Sequence, residues 1–148
     1  MTSRSQSPPL DRQALLLGFD PGQHKCGLAV MSVDRTIHLH QVVTAPRAIA
    51  TLKQLRRAYP LTLMVIGNQT TSAQWQQRLV EELSPPLPMV KVDERYSSLE
   101  ARDRYWQLFP PQGLARLIPK GMRVPKGAID DIVAIILIER YLESRSRG

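Results

Sequence analysis

The chain has 148 residues, a formal net charge of +7 and an isoelectric point near 10.1. This length suits one ordinary domain, and the basic charge indicates a polyanionic partner, nucleic acid rather than an anionic membrane surface. The single cysteine excludes an intrachain disulfide, which is typical of a reducing compartment such as the cytoplasm. No apolar run approaches the ~20 residues of a membrane span.

Residues 1–12 are rich in serine and proline and contain no hydrophobic block. We therefore expect a disordered tail rather than a secretory signal. Residues 13–148 are predicted to form a single domain.

The first half of that domain is predicted to begin with a three-stranded meander. An apolar run over Leu15–Asp20 ends in an aspartate, and Pro21-Gly22 turns the chain. Residues 26–33 and 36–43 form the next two strands, joined by a turn at Asp34-Arg35. Alternation places three apolar side chains of the third strand on one face: Ile37, Leu39 and Val43.

Helices and strands alternate over the rest of the chain. An amphipathic helix begins at Pro46, a buried strand spans 61–66, and further helices span 70–83, 96 or 97 to 108, and 128–144. Residues 87–92 form the fifth strand. The order predicts an α/β fold with a mixed five-stranded sheet and helices on both faces.

Acidic residues follow two strands of this sheet and begin its last helix. If the first, fourth and fifth strands are parallel, Asp20 and either Asp93 or Glu94 share one edge. Alternation allows only one of the adjacent pair to point into a site there. Asp130 and Asp131 could each cap the last helix or reach this edge, and periodicity does not distinguish them.

The chemistry of such a cluster depends on what neutralises it. Asp20 alone is either a turn residue bonded to backbone N–H groups or a metal ligand. Three converging carboxylates would repel unless a hard divalent cation, Mg²⁺ or Mn²⁺, bound them. In a basic protein, that site predicts phosphodiester hydrolysis, with metal ions activating water and stabilising the leaving oxygen.

Three motifs resemble the YqgF (RuvX) family, relatives of the RuvC Holliday-junction resolvases with a ribonuclease H-like fold. The first combines Gly18-Phe19-Asp20-Pro21-Gly22 with Gly27-Leu28-Ala29-Val30. The second is Asp93-Glu94-Arg95-Tyr96-Ser97-Ser98-Leu99-Glu100-Ala101-Arg102. The third runs from Pro125-Lys126-Gly127-Ala128-Ile129-Asp130 to Ala134-Ile135-Ile136-Leu137 and Tyr141-Leu142.

The resemblance implies Asp20, Glu94 and Asp130 as catalytic metal ligands, with Asp93 and Asp131 as neighbours. It also implies phosphate contacts or helix capping by Arg95 and Ser97. Family members are described as nucleases that mature the precursor of 16S ribosomal RNA, and also as resolvase-like. This chain departs from the family pattern at Gln23, at a lysine displaced to Lys25, and at Gly67-Asn68-Gln69.

Other side chains have a functional and a structural interpretation. Lys25 could hold a phosphate oxygen, and His24 could act as a base or lie in solvent. Trp75 and Trp106 could stack on bases, although their helical spacing favours packing. Cys26 is expected to be a small buried residue. Residues 109–127 contain four cations that could grip a nucleic-acid backbone: Arg116, Lys120, Arg123 and Lys126.

These observations predict a nuclease that acts on structured RNA, most specifically at the 5′ end of 16S rRNA precursor. Two alternatives stay open: a resolvase-type DNA endonuclease, and an RNA-binding or ribosome-assembly module without catalysis. An actin-like phosphotransferase is suggested only by the first turn, and one such domain is too short for paired lobes. A resolvase would favour a homodimer, whereas an RNA trimmer could be a monomer.

Overall fold

The structure is a computed structural model that describes residues 13–68, 72–95, 97–111, 117 and 129–147. The predicted tail over 1–12 and most of the basic segment over 109–127 lie outside these residues. None of the described helices is both long and apolar enough to cross a membrane.

A five-stranded mixed sheet forms the centre of the fold, in the order β3-β2-β1-β4-β5. β1 pairs antiparallel with β2, which pairs antiparallel with β3, while β1, β4 and β5 run parallel. The strands are β1 Leu15–Asp20, β2 Lys25–Ser32, β3 Ile37–Thr44, β4 Leu61–Gly67 and β5 Met89–Val92. The predicted meander and parallel strands are therefore confirmed.

Four α-helices cover the two faces of the sheet. They are α1 Ala48–Ala58, preceded by a short 3₁₀ turn at Ala45–Arg47, then α2 Ser72–Glu82, α3 Ser97–Leu108 and α4 Asp130–Arg147. Buried residues of α1 and α2 pack on one face, and those of α3 and α4 pack on the other. This confirms the predicted α/β class with helices on both faces.

Alternation along β1 divides the core into two layers. Leu17 and Phe19 face α1 and α2, whereas Leu16 faces α4. Every residue from Ile132 to Ile138 is buried, which explains why the sequence of α4 is apolar on nearly every side.

Ile37 does not share a face with Leu39 and Val43, so that prediction is wrong. Val30 pairs with Leu39, but the next residue, Met31, pairs with Ile37. The extra residue in β3 reverses the alternation, and Ile37 packs in the α4 layer.

Two glycines allow α4 to lie close to the sheet. A Cβ added at Gly18 would lie 2.4 Å from the carbonyl oxygen of Ala134, and one at Gly27 would lie 1.9 Å from that of Asp130. Because these side chains are absent, the first turn of α4 reaches the edge of the sheet where β1 ends.

Candidate active site

Asp20 and Glu94 meet at the carboxyl edge of the parallel strands. Asp20 ends β1, Glu94 follows β5 by two residues, and their side chains are only 8% and 5% exposed. The two carboxyl groups lie close enough for a hydrogen bond, which favours a proton on one of them. Burial, the bond and charge of Glu94, and the charge of Asp130 together raise the pKa of Asp20 to about 8.

The structure distinguishes Glu94 from Asp93. Glu94 points inward, whereas Asp93 is exposed and its Oδ1 accepts a hydrogen bond of 2.9 Å from the backbone N–H of Arg95. Ser97 is buried at the start of α3, and its backbone N–H donates to the carbonyl of Glu94 at 2.9 Å. Only the second acid of the pair is therefore turned toward Asp20.

The segment after β4 supports Glu94, which the sequence alone does not reveal. A Cβ added at Gly67 would lie 2.1 Å from Cδ of Glu94, so this glycine leaves the space that the carboxyl group occupies. Asn68 accepts a hydrogen bond of 3.3 Å from the backbone N–H of Glu94 through its side-chain oxygen. The departure at Gly67-Asn68 thus has a defined structural role.

Arg140 of α4 is a second support that the sequence does not reveal. Its Nη1 donates to the carbonyl oxygen of Asp93 at 2.6 Å, and its Nη2 pairs with Glu100 at 2.7 Å. The guanidinium group therefore ties the turn that carries Glu94 to α4 and α3.

Asp130 and Asp131 have different surroundings although they are adjacent. Asp131 bonds Nδ1 of His40 at 2.7 Å and accepts from the backbone N–H of Ile132 at 2.9 Å. Asp130 acts electrostatically on Asp20, and its own pKa is raised, mainly by burial and also by the charge of Asp131, while Lys25 opposes the shift. Asp130 is therefore the member of the pair that belongs with Asp20.

The carboxyl pair offers suitable donors for a hard divalent cation, and the nearby charge of Asp130 would add to that attraction. Within the described ranges, however, no three His, Cys, Asp or Glu side chains already stand close enough together to hold a metal ion. Oxygen chemistry and burial fit Mg²⁺ or Mn²⁺, and Asp130, whose charge acts on Asp20, is a candidate for completing the ligand set.

The predicted nucleic-acid contacts are distributed around this edge. Lys25 is exposed and acts on Asp130, and Arg95 is exposed beside Glu94, 3.9 Å from Asp93. Contacts of these residues and of Ser97 with phosphate stay predictions. Four of the predicted cations lie outside the described residues: Arg116, Lys120, Arg123 and Lys126.

Trp75 is a packing residue, as its spacing favours. It is 6% exposed, its ring meets that of Phe19 edge-on with centroids 5.3 Å apart, and its indole N–H donates to the carbonyl of Gly22 at 3.3 Å. The ring therefore braces the turn that follows Asp20. Cys26 is buried, as expected for its small apolar side chain.

This architecture is shared with solved structures of Thermus thermophilus RuvC, which defines the fold as ribonuclease H-like. One of them, in complex with a Holliday junction substrate, has a TM-score of 0.56 and 15% sequence identity, and the other has a TM-score of 0.58 and 14% identity. Each superposition covers 90% of this chain and 96% of the RuvC chain.

The chain belongs to the RuvX family, whose model, described as Holliday junction resolvase, matches residues 14–144. Among its relatives is the "Putative pre-16S rRNA nuclease" of Chloroflexus aggregans, 30% identical over 144 residues, which covers 88% of this chain and 94% of the relative. The protein of the same name from Parabacteroides distasonis is 25% identical over 142 residues, covering 88% and 95%. The resemblance inferred from the three motifs is confirmed.

Proposed function

We propose that this protein is a metal-dependent nuclease that hydrolyses phosphodiester bonds in RNA, with Asp20, Glu94 and Asp130 as its catalytic metal ligands. The substrate we favour is structured precursor RNA at the 5′ end of 16S rRNA, in the cytoplasm. The names of the curated relatives and the net positive charge support this choice.

The hydrogen-bonded carboxyl pair of Asp20 and Glu94 carries the proposal. Two buried carboxyl groups are costly to bring together, and without a cation a shared proton would offset their repulsion. A divalent cation would replace that proton and neutralise both groups. A bound Mg²⁺ or Mn²⁺ would activate the attacking water and stabilise the leaving oxygen.

The rest of the chain supplies positioning. The central strand β1 fixes Asp20, while Asn68 and Arg140 hold the turn that carries Glu94. Exposed Lys25, close enough to Asp130 to lower its pKa, is placed to attract a substrate phosphate.

Cleavage of a four-way DNA junction is the second candidate function. The description of the matching family model and the fold shared with RuvC favour it. Because a resolvase must cut two strands symmetrically, this function would require a homodimer, whereas a nuclease that trims RNA could act as a monomer.

The test is a cleavage screen with Mn²⁺ or Mg²⁺ on precursor 16S rRNA and on four-way DNA, using the wild type and Asp20→Asn. We expect RNA cleavage that requires the metal and is lost in the variant. Preferential cutting of the junction by a dimer would favour the second function. RNA binding without any cleavage would identify a non-catalytic assembly module and contradict the proposal.

A further inference from the structure

A groove lies at the edge of the sheet where β1 ends, on the face covered by α1 and α2. It has a volume of about 360 Å³, within the usual range for small-ligand sites. Its walls are the turn after β1, the 3₁₀ turn and the first half of α2. The polar side chains that line it are Gln23, Gln74 and Arg78.

Arg78 is fixed relative to Asp20 by a short chain of contacts. Its guanidinium carbon lies 4.7 Å from the centre of the Trp75 ring, and the indole N–H of Trp75 holds the carbonyl of Gly22. Gly22 follows Asp20 by two residues in the same turn. A single packed indole therefore links the cation to the acidic site.

The guanidinium group can still receive a phosphate. When its flat face stacks on an indole, its N–H groups in the plane remain directed outward. Its acidic neighbour is Glu82, with 3.6 Å between Nη2 and Oε2, and both side chains are nearly half exposed, at 48% and 43%. Such a surface pair contributes little stability, so a phosphate can compete with it.

The pKa of the Cys26 thiol is affected by charges of both the acidic site and the groove. Burial is the main cause that raises its pKa, and the hydrogen bond of 3.8 Å to the carbonyl of Gly22 lowers it. The charges of Asp20 and Asp130 raise the pKa further, and the charge of Arg78 lowers it. One buried atom thus lies within reach of both the acidic site and the cation of the groove.

We infer that this groove is the subsite for the nucleotide next to the scissile phosphodiester, with Arg78 holding its phosphate and Gln23 and Gln74 facing its sugar or base. The inference rests on the proposed nuclease function and deepens it. Gln23, which departs from the family pattern, then lines the part of the site that selects the substrate.

Arg57 offers a matched control for Arg78. It is an exposed arginine near the end of α1, and α1 runs from the sheet edge that carries the acids toward the opposite edge, where β4 begins. Arg57→Gln and Arg78→Gln therefore make the same change of charge on neighbouring helices, but only Arg78 lines the groove.

The first experiment measures binding of a fluorescein-labelled single-stranded RNA in EDTA, by anisotropy over a range of salt concentrations. Arg78→Gln should weaken binding about tenfold and reduce the slope of log K against log salt by about 0.7. Arg57→Gln should change the affinity less than twofold. Equal effects of the two variants, or no RNA binding by the wild type, would overturn the inference.

The second experiment uses cleavage after the cut position of the wild type has been mapped. Arg78→Gln should raise KM more than it lowers kcat. Two further substrates are each shortened on one side of the cut, and the effect of Arg78→Gln should disappear for the one that lacks the nucleotide bound in the groove. An effect that persists on both would refute the subsite. Arg78→Lys, which keeps the charge but not the bidentate donors, should be intermediate and serves if Arg78→Gln fails to fold.

These outcomes separate the two proposals. If the wild type cleaves and Arg78→Gln matches Arg57→Gln, only the subsite is wrong. If the wild type binds RNA through Arg78 but never cleaves it with Mn²⁺, the nuclease function is wrong.

Discussion

Two aspartates lie where strands end, at opposite edges of the sheet, and their surroundings differ. Asp34 is exposed in the turn between β2 and β3, where its Oδ1 accepts from the Ser32 hydroxyl and, at 3.1 Å, from the backbone N–H of Thr36. Asp20 is buried at the end of β1 and meets the carboxyl group of Glu94. In the turn, the carboxylate of Asp34 is surrounded by hydrogen-bond donors, whereas in the candidate site Asp20 faces a second acid.

The contrast indicates what each aspartate contributes. Asp34 stabilises its turn by accepting hydrogen bonds from residues of the same turn. Asp20 is held in an environment that favours its neutral form, which stabilises the fold less than a paired carboxylate would and prepares the site for a cation.

The same substitution at both aspartates provides the sharpest test of this contrast. Asp20→Asn should lower metal-dependent cleavage by more than about 100-fold. Mutating a residue that only hydrogen-bonds to a metal ligand already lowers activity by up to about 100-fold, and Asp20 is proposed as a ligand itself. Asp34→Asn should leave cleavage within twofold, while it lowers the free energy of unfolding by about 1 kcal/mol. Initial rates and urea unfolding measure these effects, and comparable rate losses in both variants would remove the distinction.

Gly67→Ala should disturb the candidate metal site without replacing any of its acidic residues. The new Cβ would lie 2.1 Å from Cδ of Glu94 and displace that flexible side chain, so Mn²⁺ affinity should fall about 10- to 100-fold. Calorimetric titration with Mn²⁺ measures the affinity, and circular dichroism should show a native fold. Unchanged Mn²⁺ affinity would mean that Glu94 is not a ligand.

The pH dependence of stability should differ between the two aspartates. Because the folded pKa of Asp20 is about 8 and its ordinary value is 3.8, the folded state holds a proton between these pH values that the unfolded state has lost. The free energy of unfolding of metal-free protein should therefore fall as the pH rises from about 4 to about 8.

Urea midpoints measured in EDTA across that pH range provide the check. Asp20→Asn should flatten the decline, whereas Asp34→Asn should keep the slope of the wild type. Added Mn²⁺ should stabilise the protein more at high pH, since the proton must leave before the metal binds. An identical slope in Asp20→Asn would show that another group causes the decline.

The smallest expected effect concerns the adjacent acids of α4. Asp131→Asn weakens the contact with His40, so it should cost about 1 kcal/mol of stability and change cleavage only a few-fold. Asp130→Asn should instead reduce cleavage far more than stability. A larger loss of activity in Asp131→Asn would exchange the roles assigned to the two residues.

Much of the fold could be predicted from local patterns in the chain. Apolar alternation, Pro-Gly and Asp-Arg turns and the 3.6-residue period of the helices predict nine segments, five strands and four helices, whose order matches the structure. The ends that were predicted lie within three residues of those observed. The three motifs were sufficient to predict the family, and the expectation of parallel strands was sufficient to place Asp20 at the same edge as Asp93 and Glu94.

Only the tertiary structure decided the features that depend on residues distant in sequence. Glu94 faces Asp20 in space left by Gly67, and Asp131 turns toward His40, 91 residues away. Ile37 changes face because β3 gains a residue relative to β2. Periodicity describes one segment at a time, so it specifies which residues alternate. The partner that each side chain meets depends on packing between segments, and here that packing brings two acids together.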